Sequence, residues 1–279
     1  MAITVNTNMQ ALRIQRNLAG ATDKMNTAME RMASGSKINS AKDDAAGFAV
    51  ATGLKTKLSG TSVASDNVAI GRDMLNTTEG VLEVVTTNLQ RIRDLVEQAS
   101  NGTYTTSDRL GIQAEVDARL AQITSITANA TFNGKQLFSA GASAVIVQSG
   151  TTQAEQTTIA SSIFEEVDVS TLTTDIDAAF TTDTTTALSD MLVDIDTSLT
   201  DVITRQTSIG AAQNQIDAVA EALDVQSVNM TSTLSTVQDA DVAEESASYV
   251  QQQILQSASS TLLVQANSAP QIALTLIKG

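Results

Sequence analysis

From Leu188 to Val237 the sequence keeps one apolar seam without a slip. Its positions are Leu188, Leu192, Ile195, Leu199, Val202, Gln206, Ile209, Gln213, Ile216, Ala220, Leu223, Ser227, Met230, Leu234 and Val237, alternating steps of four and three over seven heptads. That is the period of an α-helix with one buried edge. At about 1.5 Å per residue such a helix is roughly 75 Å long. A seam of that length needs at least one partner helix, and it predicts a rod rather than a globule. Gln206, Gln213 and Ser227 are polar seam positions of the kind that set register at some cost in stability.

Partners exist upstream. Leu75, Leu82, Val85, Leu89, Ile92, Val96 and Ala99 form a second seam, with Thr78 in its one polar slot. Leu110, Ile112, Val116, Leu120 and Ile123 suggest a third helix over about 107–129, capped by Ser107-Asp108. Ser40 and Asp43 read as a capping box for a helix from about Ala41 to Leu58, which Ser59-Gly60 interrupts. Asn133-Gly134 marks a tight hairpin turn. Residues 144–148 and 157–160 are strand candidates, with Gly150 in the turn between them. The threonine-rich remainder of 138–185, including the run Thr181 to Thr186, reads as β or irregular surface. Asp239 and Asp241 end the long helix, and a last helix runs from about Val242 toward Ile277, with a bend at Pro270. The expected fold is mainly α: a long antiparallel helical coiled-coil rod with a small β-hairpin region at the far tip.

The two ends carry thinner stripes. Ala11, Ile14, Leu18, Ala21, Met25, Ala28 and Met32 recur at helical spacing in a stretch whose periodicity begins near Val5. Ala247, Val250, Ile254, Ala258, Leu262 and Ala266 do the same at the other end. Such narrow, alanine-rich edges bury little area, and isolated helices of this kind are marginal in water. The ends are expected to fold only against each other and against copies of themselves. Their charges are complementary in sign: residues 1–42 hold six basic and two acidic side chains, and residues 238–279 hold four acidic and one basic.

Composition removes most chemistry. There is no His and no Cys, so imidazole and thiolate catalysis, metal sites built from them and disulfides are excluded. No enzyme activity and no cofactor are expected. Aromatic residues make up 3% of the chain and Trp is absent, which suits helical seams better than a thick core. The net charge of −15 disfavours nucleic acid, and no apolar run is long enough for membrane insertion. Asp194 and Asp196 lie two apart on a helix, point apart, and read as a solvated face.

Five stretches occur together and in order: Ser36-Lys-Ile-Asn-Ser-Ala-Lys-Asp-Asp-Ala-Ala-Gly47, Thr78-Glu-Gly80, Asn88-Leu-Gln-Arg-Ile-Arg-Asp-Leu95, Thr131-Phe-Asn-Gly134 and Gln265-Ala-Asn267. In these the chain resembles bacterial flagellin, the subunit of the flagellar filament, in a short form without large outer domains. The resemblance implies a division into an N-terminal polymerisation helix (1–42), rod helices (43–137), a variable outer segment (138–185), the C-terminal rod helix (186–237) and a C-terminal polymerisation helix (238–279). It implies termini that are unfolded in the monomer and pair in the core of a homopolymer used for swimming. It implies export without a cleaved signal peptide to the extracellular filament, with an export chaperone and cap and junction proteins as partners. The polymerisation seam would comprise Ala11, Ile14, Leu18, Met25, Met32, Val250, Ile254 and Leu262. Leu89, Gln90, Arg91, Ile92, Leu95 and Glu115 resemble the patch that a vertebrate innate immune receptor binds in many flagellins. A hook–filament junction protein and a secreted coiled-coil adhesin or effector are the alternatives.

Overall fold

The structure is a computed structural model that describes residues 7–181 and 185–278. Val5, where the helical periodicity begins, and Thr182 to Thr184 of the threonine run lie outside the described residues. The fold is mainly α. Helices α1 (Met9–Ser34), α2 (Ala45–Ala99) and α3 (Thr106–Asn129) precede four short strands, β1 (Thr131–Phe132), β2 (Lys135–Gln136), β3 (Val145–Gln148) and β4 (Gln156–Ile159). A 3-10 turn (Ser161–Ile163) leads to α4 (Ser170–Thr181), α5 (Thr185–Gln238) and α6 (Val242–Lys278). Packing divides the chain into a terminal unit, Met1–Leu58 with Val228–Gly279, and a central unit, Ser59–Ser227. Among the described residues no helix is long and apolar enough to cross a membrane.

The central unit holds the apolar core. On α5 every second seam residue as far as Leu223, seven apart in sequence, is sunk into it: Leu188, Ile195, Val202, Ile209 and Ile216 are at most 1% exposed, and Leu223 is 6% exposed. The α2 seam meets them, with Leu75, Leu82, Val85, Leu89, Ile92, Val96 and Ala99 all fully buried. Thr78 is buried at the same depth, and its hydroxyl donates to the Met74 carbonyl at 2.8 Å. The polar slot therefore costs no unsatisfied group. Ion pairs set the antiparallel order of α2 and α5: Arg72 with Asp217 at 3.6 Å and Arg93 with Asp196 at 2.7 Å. Gln213 adds hydrogen bonds to Asn76 at 3.0 Å and Glu79 at 2.7 Å. It acts as the register residue its seam position suggested.

Both expected hairpins form. Asn133 and Gly134 take φ of 49° and 76° between β1 and β2, the doubly left-handed turn that matches strand twist. β3 pairs antiparallel with β4 from Val145↔Ile159 to Gln148↔Gln156. This second hairpin lies on α2 through two glycines. A Cβ at Gly60 would meet Thr151 at 2.7 Å, and one at Gly71 would meet Val147 at 3.0 Å. Gly60 therefore makes room for the hairpin turn and does not interrupt α2, which runs unbroken from residue 45 to residue 99.

Three other local expectations need correction. α2 starts at Ala45, not near Ala41: Asp43 accepts from the amides of Asn39 (3.2 Å) and Ser40 (2.9 Å) and from the Ser40 hydroxyl (3.1 Å), closing a turn. Asp44 then caps the helix through the amides of Ala46 and Gly47, each at 3.0 Å. In α3 the capping box is Thr105 with Asp108, and Leu110 is exposed while Arg109 and Gln113 take buried positions. The threonine-rich segment contains a helix: α4 buries Leu172, Ile176, Ala179 and Phe180. At the C-terminal end, α6 continues past Pro270 to Lys278.

Candidate assembly surfaces

In the terminal unit α1 packs against α6 more closely than any other pair of helices described. They are antiparallel. Arg31 pairs with Glu245 at 3.1 Å, the Gln256 amide donates to the Thr22 hydroxyl at 3.1 Å, and the Asn8 amide donates to the Ala266 carbonyl at 2.8 Å. The α1 stripe faces α6. Ala21 and Ala28 are buried, and Ala11, Ile14, Leu18, Met25 and Met32 are half-buried. Small side chains let the two backbones approach.

The α6 stripe does not face α1, and here the structure departs from the expected mutual pairing of stripes. The side of α6 that turns inward carries Glu245, Tyr249, Gln252, Gln256, Ser259, Leu263 and Ala266, again at alternating steps of four and three. Ala266 is the one residue common to both rows. Val250, Ile254 and Leu262 are 51%, 63% and 53% exposed, joined by Leu255 at 46% and Val264 at 72%. α6 is thus inside out: a polar edge is covered and an apolar face is open. The stripe rule misses the covered edge because four of its seven residues, Glu245, Gln252, Gln256 and Ser259, are polar.

A clasp holds the base of this pair. Gly35, left-handed at φ 68°, ends α1. Ser36 then bridges Asp239, with Lys37 N–H donating to the Gln238 carbonyl at 2.7 Å and Ala240 N–H to the Gly35 carbonyl at 2.9 Å. The Lys37 ammonium donates to the Thr236 carbonyl at 2.8 Å. A Cβ at Gly47, in the first turn of α2, would meet the side-chain ends of Ile38 and Asp44, so glycine there spares both side chains a shift.

The second candidate surface lies on α2 and α3 of the central unit. Of its six residues, Leu89, Ile92 and Leu95 are buried at 0%, 0% and 2% exposure. They hold the helices together and offer no outward contact. Gln90 and Arg91 are exposed and Glu115 is half-buried. Arg91 Nε donates to Glu115 Oε1 at 3.2 Å, and Arg119 Nε donates to the same oxygen at 3.1 Å. Arg119 also reaches Asn88 at 3.2 Å. Hydrogen bonds from Arg119, then from Arg91, hold the Glu115 carboxyl below its usual range.

Each of the five signature stretches contributes to the fold or to these surfaces: Ser36, Lys37 and Gly47 at the clasp, buried Thr78, Asn88 beside Arg119, the Asn133-Gly134 turn, and Ala266 against Asn8. Comparison with known proteins agrees. Residues 5–143 match the bacterial flagellin N-terminal helical region, and residues 192–277 match the bacterial flagellin C-terminal helical region. The flagellin of Halalkalibacterium halodurans is 32% identical over 98% of this chain and 99% of its own length. Polar flagellin F of Vibrio parahaemolyticus is 30% identical over 99% of this chain and 100% of its own length. The B-type flagellin of Pseudomonas aeruginosa is 40% identical over 61% of this chain, which spans only 33% of that longer protein. Among solved structures, a flagellar hook-associated protein from Vibrio parahaemolyticus shares the fold, with a TM-score of 0.62 at 20% identity over 71% of this chain and 100% of its own. Bacillus cereus FlgL does so at a TM-score of 0.53 and 19% identity, over 64% of this chain and 97% of its own. With both helical regions matched in order and relatives similar along their whole length, the chain belongs to the bacterial flagellin family, whose members are structural proteins of the flagellar filament and not enzymes.

Proposed function

We propose that this chain is the self-assembling subunit of a helical flagellar filament, and that its two terminal helices, α1 and α6, pair in the filament core. The observation that carries this reading is the inverted α6. An apolar row left open in a single chain is unfavourable in water, and copies of the same row are the simplest cover in a protein that polymerises. Ala11, Ile14, Leu18, Met25 and Met32 hold the pair together, while Val250, Ile254 and Leu262 face neighbouring copies. Family membership supports a place outside the cell, in the flagellum. Passage through a dedicated export route without a cleaved signal peptide, aided by an export chaperone and followed by addition under a cap, completes the proposal.

Ile254→Asp and Leu18→Asp test it. Ile254→Asp puts a carboxylate into the face that closes only on assembly, and Leu18→Asp puts one between α1 and α6. Both variants should keep the circular dichroism of the central unit and yield no sedimentable filament from seeded solution. Normal filaments from Ile254→Asp would refute the assignment of that face. Electron microscopy of the wild-type product separates the main alternative, since a hook–filament junction protein would not extend into long filaments.

A further inference from the structure

One flank of α1 is basic and has no counterpart on the helix beside it. Arg13, Lys24 and Arg31 are spaced by eleven and seven residues, close to whole turns at about 3.6 residues each, so they share that flank. Arg31 finds Glu245 at 3.1 Å. The same register sets Lys24 and Arg13 against a stretch of α6 without charge, because Ser246 to Ile277 contains no Asp, Glu, Lys or Arg. Arg13, Arg16 and Lys24 are exposed, and among the described residues no carboxylate lies within ion-pair distance of them.

The clasp end of the same unit has the opposite excess. Asp239, Asp241 and Glu244 are exposed there, as are Asp43 and Asp44 on the loop that leads into α2. The Lys37 ammonium at this end is engaged with the Thr236 carbonyl. Asp241 also caps α6 through Ala243 N–H at 2.8 Å.

We infer that the basic flank of α1, formed by Arg13 and Lys24 with Arg16 on the adjoining outer face, docks the acidic clasp end of a second copy, at Asp239 and Glu244, shifted along the helix axis. The inference rests on the assembly reading above and specifies its geometry. Lys24 and Arg13 lie seven and eighteen residues before Arg31, so the neighbour is displaced by roughly 10–27 Å along α1. Apolar contact between the open α6 faces does not by itself fix an axial offset, since a helical row can slide by a turn. Complementary charges at fixed positions choose one offset and exclude in-register pairing, where like charges would meet. A nucleic acid fits the basic flank poorly, because the chain as a whole carries a net charge of −15.

The test uses the full chain and wild-type filament seeds. The critical concentration for seeded assembly is measured for Arg13→Glu/Arg16→Glu/Lys24→Glu, for Asp239→Lys/Glu244→Lys, and for the chain carrying all five changes; Asp241 is kept as the cap. Each reversal alone should raise the critical concentration about tenfold, which corresponds to about 1.4 kcal/mol, because reversal replaces attraction by repulsion. The five-fold variant should return to within about twofold of wild type, with circular dichroism unchanged throughout. No effect from either reversal, or a combined variant as poor as its parents, would overturn the inference while leaving the assembly reading standing. Wild-type protein that never elongates seeds would overturn the assembly reading, and this inference with it.

Discussion

The two units of this chain are both helical, yet they solve burial in opposite ways. In the central unit, Leu82, Leu89, Ile92, Ile123, Ile195 and Val202 are wholly buried, and two polar residues of the seams, Thr78 and Gln213, are bonded where they stand. In the terminal unit the most buried α1 residues are Ala21 and Ala28, and the α6 residues that meet α1 are led by Gln252 and Ala266, at 9% and 8% exposure. The large apolar side chains Val250, Ile254 and Leu262 of α6 point away from the contact. A segment that buries its large side chains internally can stand alone. One that buries alanine and glutamine while displaying Val250, Ile254 and Leu262 has left much of its stabilising area for a neighbour.

That contrast can be broken by substitution. Leu82→Ala or Leu120→Ala should destabilise the central unit of the monomer by about 3 kcal/mol, the cost of a cavity in a closed core. Ile254→Ala, of similar chemistry, should change monomer stability by less than about 0.5 kcal/mol, as at an exposed site. Denaturant titration of both monomers checks the pair, and equal losses would erase the distinction. Next in size is Arg91→Ala. If the exposed part of its patch also serves an innate receptor, monomer binding should weaken by about 2 kcal/mol, and intact filament should not bind. Arg119 still satisfies Glu115, so the fold should be unchanged; a binding assay on monomer and filament decides it. Arg205→Met should cost the central unit about 1–2 kcal/mol, because this buried guanidinium donates to the carbonyls of both Glu165 and Glu166.

A smaller loss is expected at a helix end. Thr105→Ala should cost about 1 kcal/mol through loss of the capping box. The Thr105 hydroxyl and amide hold Asp108 below its ordinary carboxylate range. A lowered folded value means that the cap contributes above the ordinary range and is lost as pH falls through the folded value. The difference between wild type and Thr105→Ala should therefore shrink on acidification, as seen in thermal melts across that range.

Much of the central unit was legible because strict heptads leave few choices. The α5 seam, Thr78, Gln213 and the Asn133-Gly134 turn stand where periodicity and turn chemistry put them. α4 was missed although Leu172, Ile176, Ala179 and Phe180 repeat at helical spacing, because the intervening threonines and aspartates mimic a loop composition. Leu110 was assigned inward by its hydrophobicity, yet Arg109 and Gln113 occupy that side of α3. The largest gap is α6. A sequence stripe says which residues avoid water, not which partner covers them, and here the nearer partner α1 takes the polar edge. In the receptor-like patch, sequence alone did not separate Gln90, Arg91 and Glu115 from Leu89, Ile92 and Leu95, which are buried between helices.

The central claim is that the terminal unit completes its burial only in the polymer. Hydrogen exchange on dilute monomer and on assembled filament measures this directly. Amides of α1 and of α6 up to Asn267 should exchange rapidly in the monomer and slowly in the filament, while those of α2 from Leu75 to Val96 should be protected in both. Terminal helices as protected as that α2 segment in dilute monomer would contradict the account.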